Sequence, residues 1–186
     1  MTPPIALASI VGSLTSSLTS SLTHAAAPWK HLYDDSKVVA TIVVFVHLAA
    51  LLAGGGLALA TDRATLRAAG GPPTERERHI AELGLTHGPV VASLAVAFVT
   101  GALLFLADVE TFATSLAFWA KMALVALLLL NGWAMTRVEA RLRAGRDAPV
   151  LLGADGPLWR RLRLSAVASA VLWFATLLLG VALTNS

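Results

Sequence analysis

Cysteine is absent from this chain of 186 residues. That absence removes disulfides, thiolate zinc sites, iron–sulfur clusters, cysteine nucleophiles and covalent c-type haem attachment together. Charge is scarce as well. Only 13% of residues are charged, against about 25% in an average soluble domain, so the chain lacks the material for a soluble protein's surface. No zinc-protease HExxH, no Walker sequence, no dinucleotide fingerprint and no nucleophile-triad motif occurs. Gly54, Gly55 and Gly56 stand in a row without the strand and lysine of a phosphate loop, so they read as points of close helix contact or local bending. The net charge of +3 is no nucleic-acid signal, because the arginines are confined to two loops.

What the chain has instead is apolar residues, 56% of the total, gathered in blocks. A helix needs about 20 of them to cross roughly 30 Å of hydrocarbon. Four blocks qualify: residues 38–60, 88–107, 111–136 and 164–183. None alternates with the period of a membrane barrel strand, and a backbone in lipid must satisfy its own hydrogen bonds, so four helices are predicted. Asp34, Asp35 and Ser36 precede the first span as N-cap candidates. Asp62 and Arg63 close it, and Asp108 closes the second.

The loops predict an orientation. Arg63, Arg67, Arg76 and Arg78 lie between spans one and two. Arg137, Arg141, Arg143, Arg146, Arg160, Arg161 and Arg163 lie between spans three and four, making eleven on one side. The other side has Lys30 and Lys37, with Lys121 inside span three. The positive-inside rule places both loops in the cytoplasm and both termini outside. Trp29, Tyr33 and Trp119 then fall near the outer interface and Trp159 near the inner one, the depths amphipathic rings favour. The 3–4 loop arginines set topology and meet anionic headgroups. Residues 137–146 read as a polar extension of the third helix, and "GADGP" at 153–157 as its break.

The N-terminal segment is distinct. Leu7, Val11, Leu14, Leu18 and Leu22 recur in steps of four, three, four and four, one face of a helix, with Ser and Thr opposite. A frayed low-complexity tail, a helix lying on the outer leaflet and a signal peptide ending near "THAAA" are the three readings. The last lacks a basic n-region.

His47, in "FVHLAALLAGGG", is the first candidate for chemistry. It lies about ten residues into span one, ~15 Å deep at 1.5 Å per residue. An ionisable side chain near the bilayer midplane is costly and faces a bundle interior or cavity. It reads either as a ligand to haem or copper or as an interhelical hydrogen bond. A bis-histidine haem needs two rings at equal depth, but His87 starts span two and differs from His47 by about ten residues, ~15 Å. Met122 is a soft alternative donor for haem iron or Cu(I). Lys121, in "AFWAKMAL", either snorkels outward toward Asp108 or Glu110 or faces a cavity and binds a propionate or quinone oxygen. His24 and His31 with Asp34 and Asp35 form a second, outer metal candidate. Asn131 reads as packing glue, worth about 0.6–2 kcal/mol. His87 reads as a cap, a cytoplasmic-side proton acceptor or a ligand.

The segments "VVFVHLAALLAGGGLALATDRATLRAAG", "LAVAFVTGALLFLADVETFATSLAFWAKMALVALLLLNG" and "VLWFATLLLGVAL" resemble a group of bacterial four-helix membrane proteins of unknown function. More loosely, they are similar to the membrane domain of copper-resistance proteins of the CopD type. The resemblance covers about residues 38–183, and its most specific parts are the span-one histidine and "FWAKM". It implies an inner-membrane four-helix bundle linked to copper or haem b, with His47 and Lys121 as the positions carried over. The copper-type domain has more spans and more histidines or methionines than this chain.

The expected fold is therefore all-α, a polytopic membrane four-helix bundle with both termini on the outer side. Residues 1–36 form an N-terminal amphipathic or low-complexity segment and residues 37–186 the four-transmembrane-helix domain. Two functional readings stand. In one, the bundle binds haem or copper for electron transfer or copper handling, with His47 and Lys121 as cofactor-binding residues and His47, Met122 and His87 as metal ligands. In the other, the chain is a non-catalytic scaffold or accessory subunit. The partners expected are the lipid bilayer of the bacterial cytoplasmic membrane and a second copy or a membrane complex, not nucleic acid.

Overall fold

The computed structural model describes residues 4–144 and 156–183. Among them run α1 (Pro4–Asp35), α2 (Lys37–Gly70), α3 (Pro73–Ala107), α4 (Val109–Thr114), α5 (Leu116–Ala144) and α6 (Pro157–Leu183). The four expected spans are there: α2, α3, α5 and α6 are each long and apolar enough to cross a membrane. Each starts for a local reason. The Ser36 hydroxyl accepts the Val39 backbone N–H at 3.3 Å and so caps α2. Pro157 opens α6, where its fixed φ suits the first turn and its missing N–H costs nothing.

The third span departs from expectation at its start. Asp108 caps α4 by accepting the Thr111 N–H at 3.3 Å. Ser115 then turns extended, with φ −79° and ψ 118°, and α5 begins at Leu116. The break is invisible to hydropathy because no Pro, Gly or charge marks it. At the other end, α5 runs on to Ala144, well past Arg137, as the polar extension predicts. Arg146 and most of "GADGP" lie outside the described residues.

The chain divides into two compact units. One comprises residues 1–49 and 96–116, the other residues 50–95 and 117–186. In the first, α1 packs on α4 and is tied to the end of α3. Trp29 donates its indole N–H to the Leu103 carbonyl at 2.8 Å, and Lys30 donates to the Ala107 carbonyl at 3.1 Å. Ala107 is the last residue of α3, so its carbonyl has no intrahelical donor, and a cation there complements the negative end of the helix. Leu18 and Leu22 of the leucine stripe are exposed. The side chains of Leu7, Val11 and Leu14 lie outside the described residues.

In the second unit the seam is written in α6. Trp159, Leu162, Ala166, Ser169, Trp173 and Thr176 are all buried, in steps of three and four, the spacing of helices packed at a shallow angle. On α5 the matching positions are Leu128, Met135 and Leu142, seven apart, with Glu139 in the same stripe. Ala68, Ala69, Ile80, Met135, Leu142, Trp159 and Leu162 form one apolar cluster. The first arginine-rich loop expected from the sequence is helical instead: Arg63 and Arg67 lie on α2 and Arg76 and Arg78 on α3, with only Gly71 and Pro72 between the helices. Closer to mid-helix, α2 meets α6 through glycine. A Cβ at Gly55 would lie 3.2 Å from the Trp173 ring, whereas one at Gly56 would meet nothing within 4 Å. Overpacking costs about 1–3 kcal/mol, so Gly55→Leu is expected to lower the midpoint of SDS-induced unfolding in mixed micelles, and Gly56→Leu to leave it in place.

Candidate functional site

His47 sits on α2 in the first unit, and its ring is fully occupied on one side. Nδ1 lies 3.0 Å from the Ala97 carbonyl and 3.0 Å from Thr100 Oγ1, both on α3. A carbonyl only accepts. The Thr100 hydroxyl already donates to the Val96 carbonyl at 2.7 Å. Nδ1 must therefore carry the hydrogen and share it between the two oxygens. The ring edge rests over Gly101, where a Cβ would come within 3.2 Å of Cε1. The histidine that opened the question of function is thus a clasp between α2 and α3.

The other residues singled out in the sequence lie in the second unit. The Lys121 ammonium passes beside Gly180 of α6, 3.5 Å from where a Cβ would stand. Met122 is half-buried on α5. Asn131 makes a reciprocal pair with Ser165: its amide donates to the Ser165 carbonyl at 2.9 Å, and the Ser165 hydroxyl donates to Oδ1 at 2.9 Å. Arg137 lies 4.3 Å over the Trp133 ring, a cation–π contact on α5. His24 and His31 are exposed on α1. Among the described residues, no three His, Cys, Asp or Glu side chains gather as a set that could hold a metal ion.

His87 and Arg143, both partly exposed, approach a buried carboxyl, Glu139, in a group that the sequence does not assemble. The His87 Nδ1–H donates to the Leu83 carbonyl at 2.8 Å, and its Nε2 lies 3.5 Å from Glu139 Oε2 on α5. Arg143 is 3.9 Å from the same oxygen. Because Nδ1 holds one hydrogen, the Nε2–carboxyl contact is attractive only if a further proton lies between them, on the ring or on the carboxyl. Glu139 is 3% exposed, and its Oε1 has no hydrogen-bond partner. Glu139 was missed because it was read as part of a solvated extension. The signal was present: it falls four residues after Met135 and three before Leu142, on the apolar stripe.

A second polar group joins α2, α3 and α6. Asp62 is buried and hydrogen-bonded to Ser169, with Oδ2 lacking a partner. One turn on, the fully buried Thr65 donates to the Thr61 carbonyl at 3.0 Å. Its single hydrogen is then spent, so it accepts from His79 Nε2 at 2.8 Å. Beside His79, α2 and α3 enclose an open groove of about 460 Å³, with Arg63, Arg67, Glu75, Arg78 and Glu82 on its walls and alanines on the α2 side. No protein-family model matches this chain, and no curated protein or solved structure matches it either.

Proposed function

We propose that this chain is a non-catalytic, multi-pass membrane protein, a helical scaffold or accessory subunit, inserted with the arginine-rich ends of its spanning helices in the cytoplasm and both termini outside. The orientation rests on the arginine bias. The observation that carries the role is the His47 clasp. A polar side chain kept within a span has to face a partner, and this one closes on the neighbouring helix through two oxygens and a glycine notch. Asn131 and Ser165 do the same between α5 and α6. Bonds of this kind join transmembrane helices at about 0.6–2 kcal/mol each, which suits a rigid element presented to a partner in the bilayer.

The rival reading is a haem b or copper site on His47 with Lys121, Met122 and His87, as the resemblance to copper-resistance membrane domains implies. An Nδ1–H held by a carbonyl is also the posture that orients a histidine for ligation through Nε2, so the ring alone does not decide. An absorption spectrum of the detergent-purified protein, oxidised and then dithionite-reduced, with metal analysis on the same sample, does. The expected result is a protein without a Soret band or stoichiometric copper, in which His47→Phe lowers the SDS unfolding midpoint by an amount equivalent to about 0.6–2 kcal/mol. A Soret band that sharpens on reduction and vanishes in His47→Ala overturns the scaffold.

A further inference from the structure

We propose that the groove between α2 and α3 in the second unit is a binding site for the headgroup of a zwitterionic aminophospholipid, phosphoethanolamine in chemical terms. It rests on the membrane insertion of the chain and goes beyond the scaffold role.

The first support is that the charges in the groove are unspent. Arg63, Arg67 and Arg78 line the groove together with Glu75 and Glu82. None of these five takes part in an ion pair with another described residue. Five charged side chains therefore line one cavity without neutralising one another. A ligand carrying both signs satisfies all of them: a phosphodiester takes the guanidinium forks, which match its oxygens two at a time, and an ammonium takes the carboxylates.

The second support is His79, which is 8% exposed and lines the same groove. Its Nε2–H is committed to Thr65. In the neutral ring, Nδ1 is then an acceptor, and it has no partner among the described residues. An acceptor held fixed in a groove calls for a donor, which an ammonium supplies and a phosphodiester does not. The volume falls within the range of small-molecule sites, about 300–1,000 Å³.

The third support is position. On α2 the groove wall reads Ala60, Arg63, Ala64 and Arg67, positions three and four apart on one face. One turn before Ala60 on that face is Leu57, exposed and inside the apolar span. A ligand with its phosphate at Arg63 and Arg67 has an apolar path running down the same helix, the arrangement a lipid needs and a free phosphomonoester does not use. The alanines at 60, 64 and 68 leave room where larger side chains would fill the cleft.

The test is native mass spectrometry of the full chain released from nanodiscs that contain equal amounts of phosphatidylethanolamine, phosphatidylcholine and phosphatidylglycerol. Phosphatidylethanolamine is expected to be retained about tenfold over the other two, the discrimination that one lost charge-assisted contact of about 1.4 kcal/mol produces. Arg67→Gln and Glu82→Gln are both at exposed positions that leave the core untouched; with the protein still monodisperse, Glu82→Gln is expected to abolish the preference and Arg67→Gln to lower retention of all three lipids alike. Equal retention of phosphatidylcholine or phosphatidylglycerol overturns the proposal, because the ammonium is then not read. Release of the lipid by millimolar inorganic phosphate overturns it as well, because the site then recognises free phosphate. So does a preference that survives Glu82→Gln, or a retention that Arg67→Gln leaves unchanged.

Discussion

Trp159→Ala is expected to destabilise the protein by about 3–5 kcal/mol, the largest loss from any single apolar truncation in it. Trp159 is 0% exposed, the largest side chain buried to that degree among the described residues, and a member of the cluster with Ala68, Ala69, Ile80, Met135, Leu142 and Leu162. Lipid tails are as apolar as the residues they would replace, so removing a buried ring inside a bilayer costs chiefly packing contacts and cavity formation. The cluster, however, lies among the first residues of α6 and the last turns of α2 and α5, beside buried Asp62, Thr65 and Glu139. Water exclusion counts there as it does in a soluble core. The indole nitrogen is buried with no acceptor, which costs about 1–3 kcal/mol. Trp159→Phe removes that penalty while keeping most of the ring, and is expected to cost far less than the alanine variant. Both are measured as unfolded fraction against SDS mole fraction in mixed micelles. Equal losses for Phe and Ala would show that the ring is not what the cluster needs.

The position of this core also explains what the sequence made legible. Hydropathy marks where a helix enters and leaves lipid, and it located α2, α3, α5 and α6 from the blocks themselves. It averages around the helix, so it does not say which face is covered. Trp159 was read as an interfacial ring on depth alone, yet its step of three to Leu162, and the continuation through Ala166, Ser169, Trp173 and Thr176, mark an inward stripe. Asp62 was read with Arg63 as the closure of a span. The two part company in the structure, Asp62 turning in to Ser169 and Arg63 out to the groove. His47 was legible as a residue that must face a partner, because an isolated histidine among 23 uncharged residues of span one has no other low-cost position. Its partners were not, since Ala97 supplies a backbone oxygen and Thr100 stands out in no motif. Ser115 had no signal at all.

The second large effect concerns the contact between His87 and Glu139. His87→Ala is expected to destabilise by about 1–3 kcal/mol, the cost of leaving a buried polar group without its partner. The variant keeps Glu139 in place at 3% exposure, with only Arg143 at 3.9 Å and an Oε1 that has no partner. Glu139→Gln is expected to cost much less, because the carboxamide brings its own hydrogen to the His87 Nε2 lone pair and removes the requirement for a shared proton. The double variant His87→Leu/Glu139→Leu fills the space with apolar atoms and leaves neither group stranded, so it is expected to be more stable than His87→Ala alone. The parent protein, His87→Leu, Glu139→Leu and their double variant, unfolded by SDS at one pH, form a coupling test. Neighbours in one hydrogen-bonded network depart from additivity by about 0.5–3 kcal/mol. Additive losses would mean that the 3.5 Å approach of Nε2 to Oε2 carries no energy and that Glu139 is stabilised by Arg143 alone. A stabilised Glu139→Gln protein would mean the reverse of neglect by selection: a buried carboxyl and its proton retained at a cost, at the end of the unit where α3 and α5 meet, for what they do rather than for how firmly they hold.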